Sequence, residues 1–182
     1  MASVSVHTTM SLDGFSVGPD DEMGWVFEHA VDVPAALVDD VIATTGAVLG
    51  GRRGDEVGRR AERRQISKPF GGRWSGPIFI LAHTPPDDES DPAYTFLSGD
   101  VRECRGDRAR GRRRSRPARA RRECRRQCLR AVLVDEILIH LLPVLVGNGV
   151  RLFGEPGVWA GLETLEASTS GQVVNVRYRV AR

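Results

Sequence analysis

Between Arg102 and Arg130 the chain carries fourteen of its twenty-five arginines, all three of its cysteines (Cys104, Cys124, Cys128) and three carboxylates. That density bars the segment from any interior. Each guanidinium taken out of water needs a partner, and three acids cannot serve fourteen bases. A domain made from this chain has to find its buried strands and helices on either side of the block. The charge divides in the same way. The net charge of 182 residues is +2, yet the block alone carries +11 and the remainder −9. A strongly basic stretch is set inside an acidic protein.

The flanking residues read as alternating strands and helices. "SVSVHTTM" (3–10) alternates and is β-branched, which predicts a strand running into the turn residues Asp13-Gly14. "VGPDDEMGW" (17–25) is loop-like. Val33, Leu37, Val38, Val41 and Ile42 recur at helical spacing, with Asp32 as a candidate N-cap before Pro34, so the spacing predicts a helix over 33–45. "GAVLGG" (46–51) is a short apolar run bounded by glycines and predicts a buried strand. Residues 52–64 suit an exposed helical turn or two, and 65–76 a loop. "PIFILAH" (77–83) is an inner strand, "AYTFLS" (93–98) a shorter one, and "VDEILIHLLPVLVG" (134–147) a deeply apolar one. The tail, 162–180, has two alternating runs around Ser170-Gly171, a hairpin signal. Together these predict an α/β fold with a mixed sheet in a single domain over 1–182. No apolar run is long enough to span a bilayer, no basic-plus-apolar leader opens the chain, and an odd number of clustered cysteines is no secreted disulfide framework. The expectation is a cytoplasmic protein.

Several pieces in order, "SLDGF", "VLGGRR", "FILAHTPP", "LVDEILIHLLPVLVGNGVRLF" and "VRYRV", resemble one family. It is the reductase domain at the C-terminus of bifunctional riboflavin-biosynthesis deaminase-reductases. The resemblance covers 3–101 and 127–181. It implies a dihydrofolate-reductase-like mixed central sheet with flanking helices and a C-terminal β-hairpin. It also implies NADPH-dependent reduction of a pyrimidine or pteridine-like small molecule by a homodimer. The family's own substrate, a phosphoribosylaminouracil, is implied by resemblance alone.

By the same resemblance, Asp13 is the catalytic candidate, binding or protonating the substrate, with Ser11 and Gly14 shaping the pocket beside it. Gly50, Gly51, Arg52 and Arg53 stand at a strand-to-helix junction, where backbone N–H groups and guanidiniums can receive cofactor phosphate. His83 and Thr84 end the third inner strand, where the family places adenosine and 2′-phosphate contacts. Two departures stand out. Gly54 replaces the family's threonine after "GRR", and Val132 replaces the glycine of its "GLvDE" turn. His140, inside an apolar strand, reads as a satisfied core or interface histidine. His7 is the polar position of the first strand. Asp135 and Glu136 read as turn carboxylates, and Gly147 and Gly149 as turn formers. No metal site is expected.

Residues 102–130 stand where the family needs a helix, a buried strand and a glycine-rich turn beneath the cofactor. A basic nucleic-acid-binding module is one reading of the block, though it has no lysine and no interleaved aromatic. Cys124-x-x-x-Cys128 with a distant Cys104 and no local histidine fits no zinc spacing. A disordered insert is a third reading, but an insert leaves the interrupted elements intact beside it. A fourth is genetic. Arginine codons of the CGN type, read one base later, encode Ala, Val, Gly, Asp or Glu, the residues of a helix–strand–turn unit. Translated as written, the chain would lack a central strand and bind NADPH weakly, or stand as a non-catalytic remnant. The coding DNA across 100–130 decides among these. The shifted reading over 104–125 is expected to be open and to encode an apolar strand. A stop codon there, or no such strand, excludes it.

Overall fold

The computed structural model describes residues 3–29, 32–51, 69–81, 94–97, 134–153 and 159–181. They belong to two compact units, one formed by 1–38 with 132–182 and the other by 39–131.

In the first unit, β1 (Ser5–Ser11), β6 (Glu136–Leu142), β9 (Val173–Val180) and β8 (Leu162–Ser170) form a four-stranded sheet in the order β1-β6-β9-β8. β1 and β6 are parallel, with Ser5 opposite Glu136 and Ser11 opposite Leu142. β9 runs antiparallel to both β6 and β8, so the sheet is mixed and ends in the expected hairpin. Its turn passes through Gly171 at φ +54°, where a Cβ would stand 2.5 Å from the Asp32 carboxylate. β6 is shorter than the apolar run that announces it, because Pro143 follows Leu142 and cannot donate to a ladder. Ahead of it, Asp135 ties the start of β1: its carboxylate accepts from the Val4 amide at 2.8 Å, and its own amide donates to the Val4 carbonyl at 2.8 Å.

Two strands were not legible in the sequence. β2 (Phe15–Val17) pairs antiparallel with β7 (Val150–Arg151), each too short to show a period. The segment read as loop over 17–25 holds a 3-10 turn at Pro19–Asp21 and begins α1 (Gly24–Glu28). The 33–45 helix is α2 (Ala35–Thr44). Pro34 stands before it, and its carbonyl accepts from the Leu37 and Val38 amides.

In the second unit, β3 (Val48–Gly51), β4 (Ile78–Leu81) and β5 (Tyr94–Leu97) form an all-parallel sheet in that order. Buried Ile78 and Ile80 pack against Trp74, Tyr94 and Phe96. The Trp74 indole donates to the Thr45 carbonyl at 3.1 Å, and the ring lies where a side chain on Gly76 would be. The loop expected over 65–76 contains a 3-10 turn at Pro69–Gly72, with Phe70 at φ +55°. The suggested helix over 52–64 and the whole of 102–130 lie outside the described residues.

The apolar core of the first sheet includes Ile137, Leu138, Ile139, Leu142 and Val173. A polar file runs across one of its faces. His140 pairs with Asn175 across β6 and β9, and its Nδ1 lies 2.6 Å from the Asn175 amide oxygen. Its Nε2 lies 2.6 Å from Nε2 of His7, which reaches over diagonally from β1, the rings meeting edge to face. One proton shared between the two Nε2 atoms satisfies both rings in their neutral form. Burial, the facing His140 and the nearby Arg177 hold His7 at a pKa of about 4, and burial lowers His140 against the opposing hydrogen bond from Asn175.

An unfolded chain binds protons at these imidazoles near pH 6.5, before the folded one does. Their contribution to stability is therefore complete above that pH and is lost as the pH falls below 6.5, for His7 toward about 4. The thermal midpoint followed by circular dichroism should fall over this interval. His7→Gln with His140→Gln should flatten the fall; an unchanged slope would show that other groups cause it.

Candidate functional site

Because β1 and β6 are parallel and in register to their last residues, their carboxyl ends emerge at one edge. Such an edge is where open α/β sheets bind ligands. The two loops that leave it are tied together. The Leu12 amide donates to the Val144 carbonyl at 3.0 Å. Asp13 does more. Its Oδ1 accepts the Ser11 hydroxyl at 2.6 Å and the Val146 amide at 3.1 Å, and its Oδ2 accepts the Gly147 amide at 2.7 Å.

Ser11 can hold this carboxylate because it is itself fixed. It is fully buried at the end of β1, and its hydroxyl oxygen accepts the Phe15 amide at 2.9 Å while donating to Asp13. The turn between them closes with the Gly14 amide on the Ser11 carbonyl at 2.9 Å. Gly14 adopts φ +91°, which favours glycine. On the other loop Gly149 has φ +133°, and a Cβ there would fall 2.2 Å from the Val17 carbonyl oxygen. The three substrate-side candidates, Ser11, Asp13 and Gly14, thus form one hydrogen-bonded unit.

The Ser11 hydroxyl lowers the Asp13 pKa most, followed by the Gly147 and Val146 amides. Partial desolvation opposes them, and the result is about 2. A carboxyl held there has no proton to give near neutrality. In this geometry the ionised carboxylate offers an acceptor for an N–H. The Oδ2 oxygen, with one donor among the described residues, retains room for another.

Arg151 also belongs to this edge, and the sequence reading missed it. Its Nη1 donates to the Asp13 carbonyl at 2.9 Å, and its guanidinium carbon lies 4.6 Å from the centre of the Phe15 ring. The available signal was a lone arginine in "NGVRLF", directly after a glycine turn.

On the second unit, Gly51, Leu81 and Leu97 are in register, so β3, β4 and β5 also end together. Gly50 packs tightly on β4; a Cβ there would lie 3.2 Å from Ile80 Cδ1. Gly50 and Gly51 leave the carboxyl end of this parallel strand without side-chain cover. Arg52, Arg53, His83 and Thr84 lie outside the described residues. Among the described residues no cluster of three or more metal-ligating side chains occurs, and no helix is long and apolar enough to cross a membrane.

No family model and no curated protein matches the sequence. Solved structures do match it. A protein assigned to riboflavin biosynthesis from Shewanella sp. PV-4 superposes with a TM-score of 0.71 at 19% identity, over 100% of both chains. A diaminohydroxyphosphoribosylaminopyrimidine deaminase/5-amino-6-(5-phosphoribosylamino)uracil reductase from Thermotoga maritima gives 0.62 at 12% identity, over 98% of this chain and 56% of that one. A pyrimidine reductase-like protein from Corynebacterium diphtheriae gives 0.60 at 12% identity, over 100% of this chain and 92% of its own. The chain has the fold of these proteins, the dihydrofolate-reductase-like mixed α/β fold that its motifs resemble.

Asp13 is more acidic folded than its usual value of 3.8, so its contribution to stability is present above that pH and is lost as the pH falls through about 2. Asp13→Asn puts an amide N–H against the Gly147 or Val146 donors. Denaturant unfolding should show the variant less stable than wild type at pH 7, with the gap closing between pH 4 and pH 2. A gap that does not change with pH would show that the carboxylate's charge is not what clamps the loops.

Proposed function

We propose that this chain is a nicotinamide-dependent reductase acting on a pyrimidine or pteridine-like small molecule. The observation that carries this reading is a match to a riboflavin-biosynthesis structure over the whole of both chains, combined with an ionised carboxylate at the paired ends of β1 and β6. The Thermotoga protein is named for an aminouracil reductase, and the Corynebacterium protein for a pyrimidine reductase. An aminopyrimidine is the substrate class that these names and an N–H-accepting Asp13 support together.

The residues then take separate tasks. Ser11 orients Asp13 and keeps it ionised; Asp13 accepts an N–H of the substrate and so fixes its ring; Gly14 lets the loop turn back over β2. Gly50 and Gly51 would hold the cofactor's backbone, with Arg52, Arg53, His83 and Thr84 as the candidates for its phosphates and adenosine. When bound, the reduced nicotinamide would supply the hydride. A pair of arginines after the glycines favours NADPH over NADH, because guanidinium groups suit an added 2′-phosphate. The homodimer is likewise a proposal. β8 is exposed along nearly its whole length at the sheet edge and is a surface open to a second copy. The nucleic-acid alternative draws only on residues 102–130 and gains nothing from the fold.

Two measurements on the full chain test the reading. Saturating NADPH should raise the thermal midpoint, since ligand at about a hundred times its Kd adds roughly 2.7 kcal/mol of stability. NADPH oxidation with an aminopyrimidine should be measurable and should fall at least about tenfold in Asp13→Asn, as expected for loss of a charge-assisted hydrogen bond. A midpoint that rises without turnover would identify a cofactor-binding remnant. No rise and no turnover would end the proposal.

A further inference from the structure

Arg151 is held more firmly than an exposed arginine normally is. β7 pairs with β2 so that Arg151 stands opposite Phe15, and the guanidinium covers that buried ring. Its head is fixed a second time by the Asp13 carbonyl. Its Nη1 passes close over Gly14, at a distance that a Cβ there would touch in ordinary contact. Stacking on an aromatic and donation to a carbonyl together remove much of the freedom of a side chain that ordinarily has a great deal.

Neither contact neutralises the charge. Arg151 makes no ion pair with a described carboxylate, and its remaining N–H groups have no partner among the described residues. The side chain stays exposed. A guanidinium needed only to cover Phe15 would not also need a backbone acceptor to set the direction of its planar fork.

Asp13 supplies the complementary half. Among the described residues its Oδ1 accepts from Ser11 and Val146 and its Oδ2 from Gly147. One residue therefore presents a carboxylate oxygen with room for a donor and, through its carbonyl, anchors a donor fork with room for an acceptor. A phosphate suits this pair poorly, because its charge would stand near an ionised carboxylate. A neutral ring edge with an N–H beside a C=O satisfies both groups at once.

We propose that Arg151 is a substrate-recognition residue, donating to a carbonyl oxygen of a flat cyclic amide or ureide whose adjacent N–H is accepted by Asp13. This rests on the pyrimidine-reductase reading and deepens it: the site reads the polar edge of the ring, and an anionic tail is held elsewhere. Arg151 then sets specificity for that edge and takes no part in hydride transfer.

Calorimetric titration of the full chain with 6-aminouracil, 1,3-dimethyl-6-aminouracil and inorganic phosphate tests the inference. The dimethyl compound keeps both carbonyls and loses both ring N–H groups. Wild type should bind 6-aminouracil and bind the dimethyl compound about tenfold or more weakly. Arg151→Met should weaken 6-aminouracil binding by about ten- to a hundredfold, the range for losing a hydrogen bond to a charged group. Arg151→Lys, which keeps the stem and the charge but not the fork, should fall between. It is the informative variant if Arg151→Met does not fold. Absence of 6-aminouracil binding to wild type, or unchanged affinity in a folded Arg151 variant, overturns the proposal. So does phosphate binding that depends on Arg151 while the ring's binding does not. If the ring binds through Arg151 but NADPH gives no thermal shift and no turnover, the reductase reading fails and this site stands. If NADPH is turned over and the ring ignores Arg151, the reverse holds.

Discussion

The first unit depends on one carboxylate. Two parallel strands can end side by side without their loops having any fixed relation, because the ladder stops at the last residue of each. Here the ladder is continued by Asp13, which collects a hydroxyl from the last residue of β1 and two amides from the loop after β6. Charge-assisted hydrogen bonds to an ionised acceptor are among the stronger polar contacts available near a surface. They also explain the low pKa: the hydroxyl and the amides all favour the charged form and together outweigh the opposing desolvation. Once Asp13 is placed, the backbone of residues 12–14 is placed, and with it the carbonyl that anchors Arg151.

The same sheet buries a second polar group in a different way. His7, His140 and Asn175 form a polar file across a β-sheet, His140 lying between the other two. Burial of neutral imidazoles costs little while partners are present and much once protons bind, so this face is stable at neutrality and vulnerable to acid. The two polar systems respond to pH at different places, His7 between 6.5 and about 4 with His140 also lowered, and the aspartate between 3.8 and about 2, because one is buried neutral and the other is held charged.

The elements with a long, clean pattern were legible in advance. β1, β6, the β8–β9 hairpin, α2 and the parallel trio β3, β4 and β5 all follow from apolar runs and turn residues, within a few residues at each end. β2 and β7 were not, since two or three residues display no period; each follows or lies beside a glycine at positive φ, Gly14 and Gly149. α1 was hidden in a stretch rich in Gly, Pro and Asp. At the site, "SLDG" pointed to Ser11, Asp13 and Gly14, and the structure joins them through hydrogen bonds. The low pKa of Asp13 was only partly legible: Ser11, two residues away, is its strongest donor, whereas the Val146 and Gly147 amides that join it lie more than a hundred residues on.

The chain itself, without coordinates, determines that 102–130 cannot be interior, that the apolar runs on either side are strands, and that a tight turn follows the first of them. Each is local, a matter of charge density, of period or of backbone preference at a glycine. What the tertiary structure decided is which distant groups meet. Parallel pairing of β1 with β6 brought the 143–149 loop to Asp13, the register of β6 on β9 set His140 against Asn175, and the β2–β7 pair laid Arg151 over Phe15. Those meetings depend on strand order and register across a sheet, and nothing in the spacing of residues along one strand encodes its neighbour's identity.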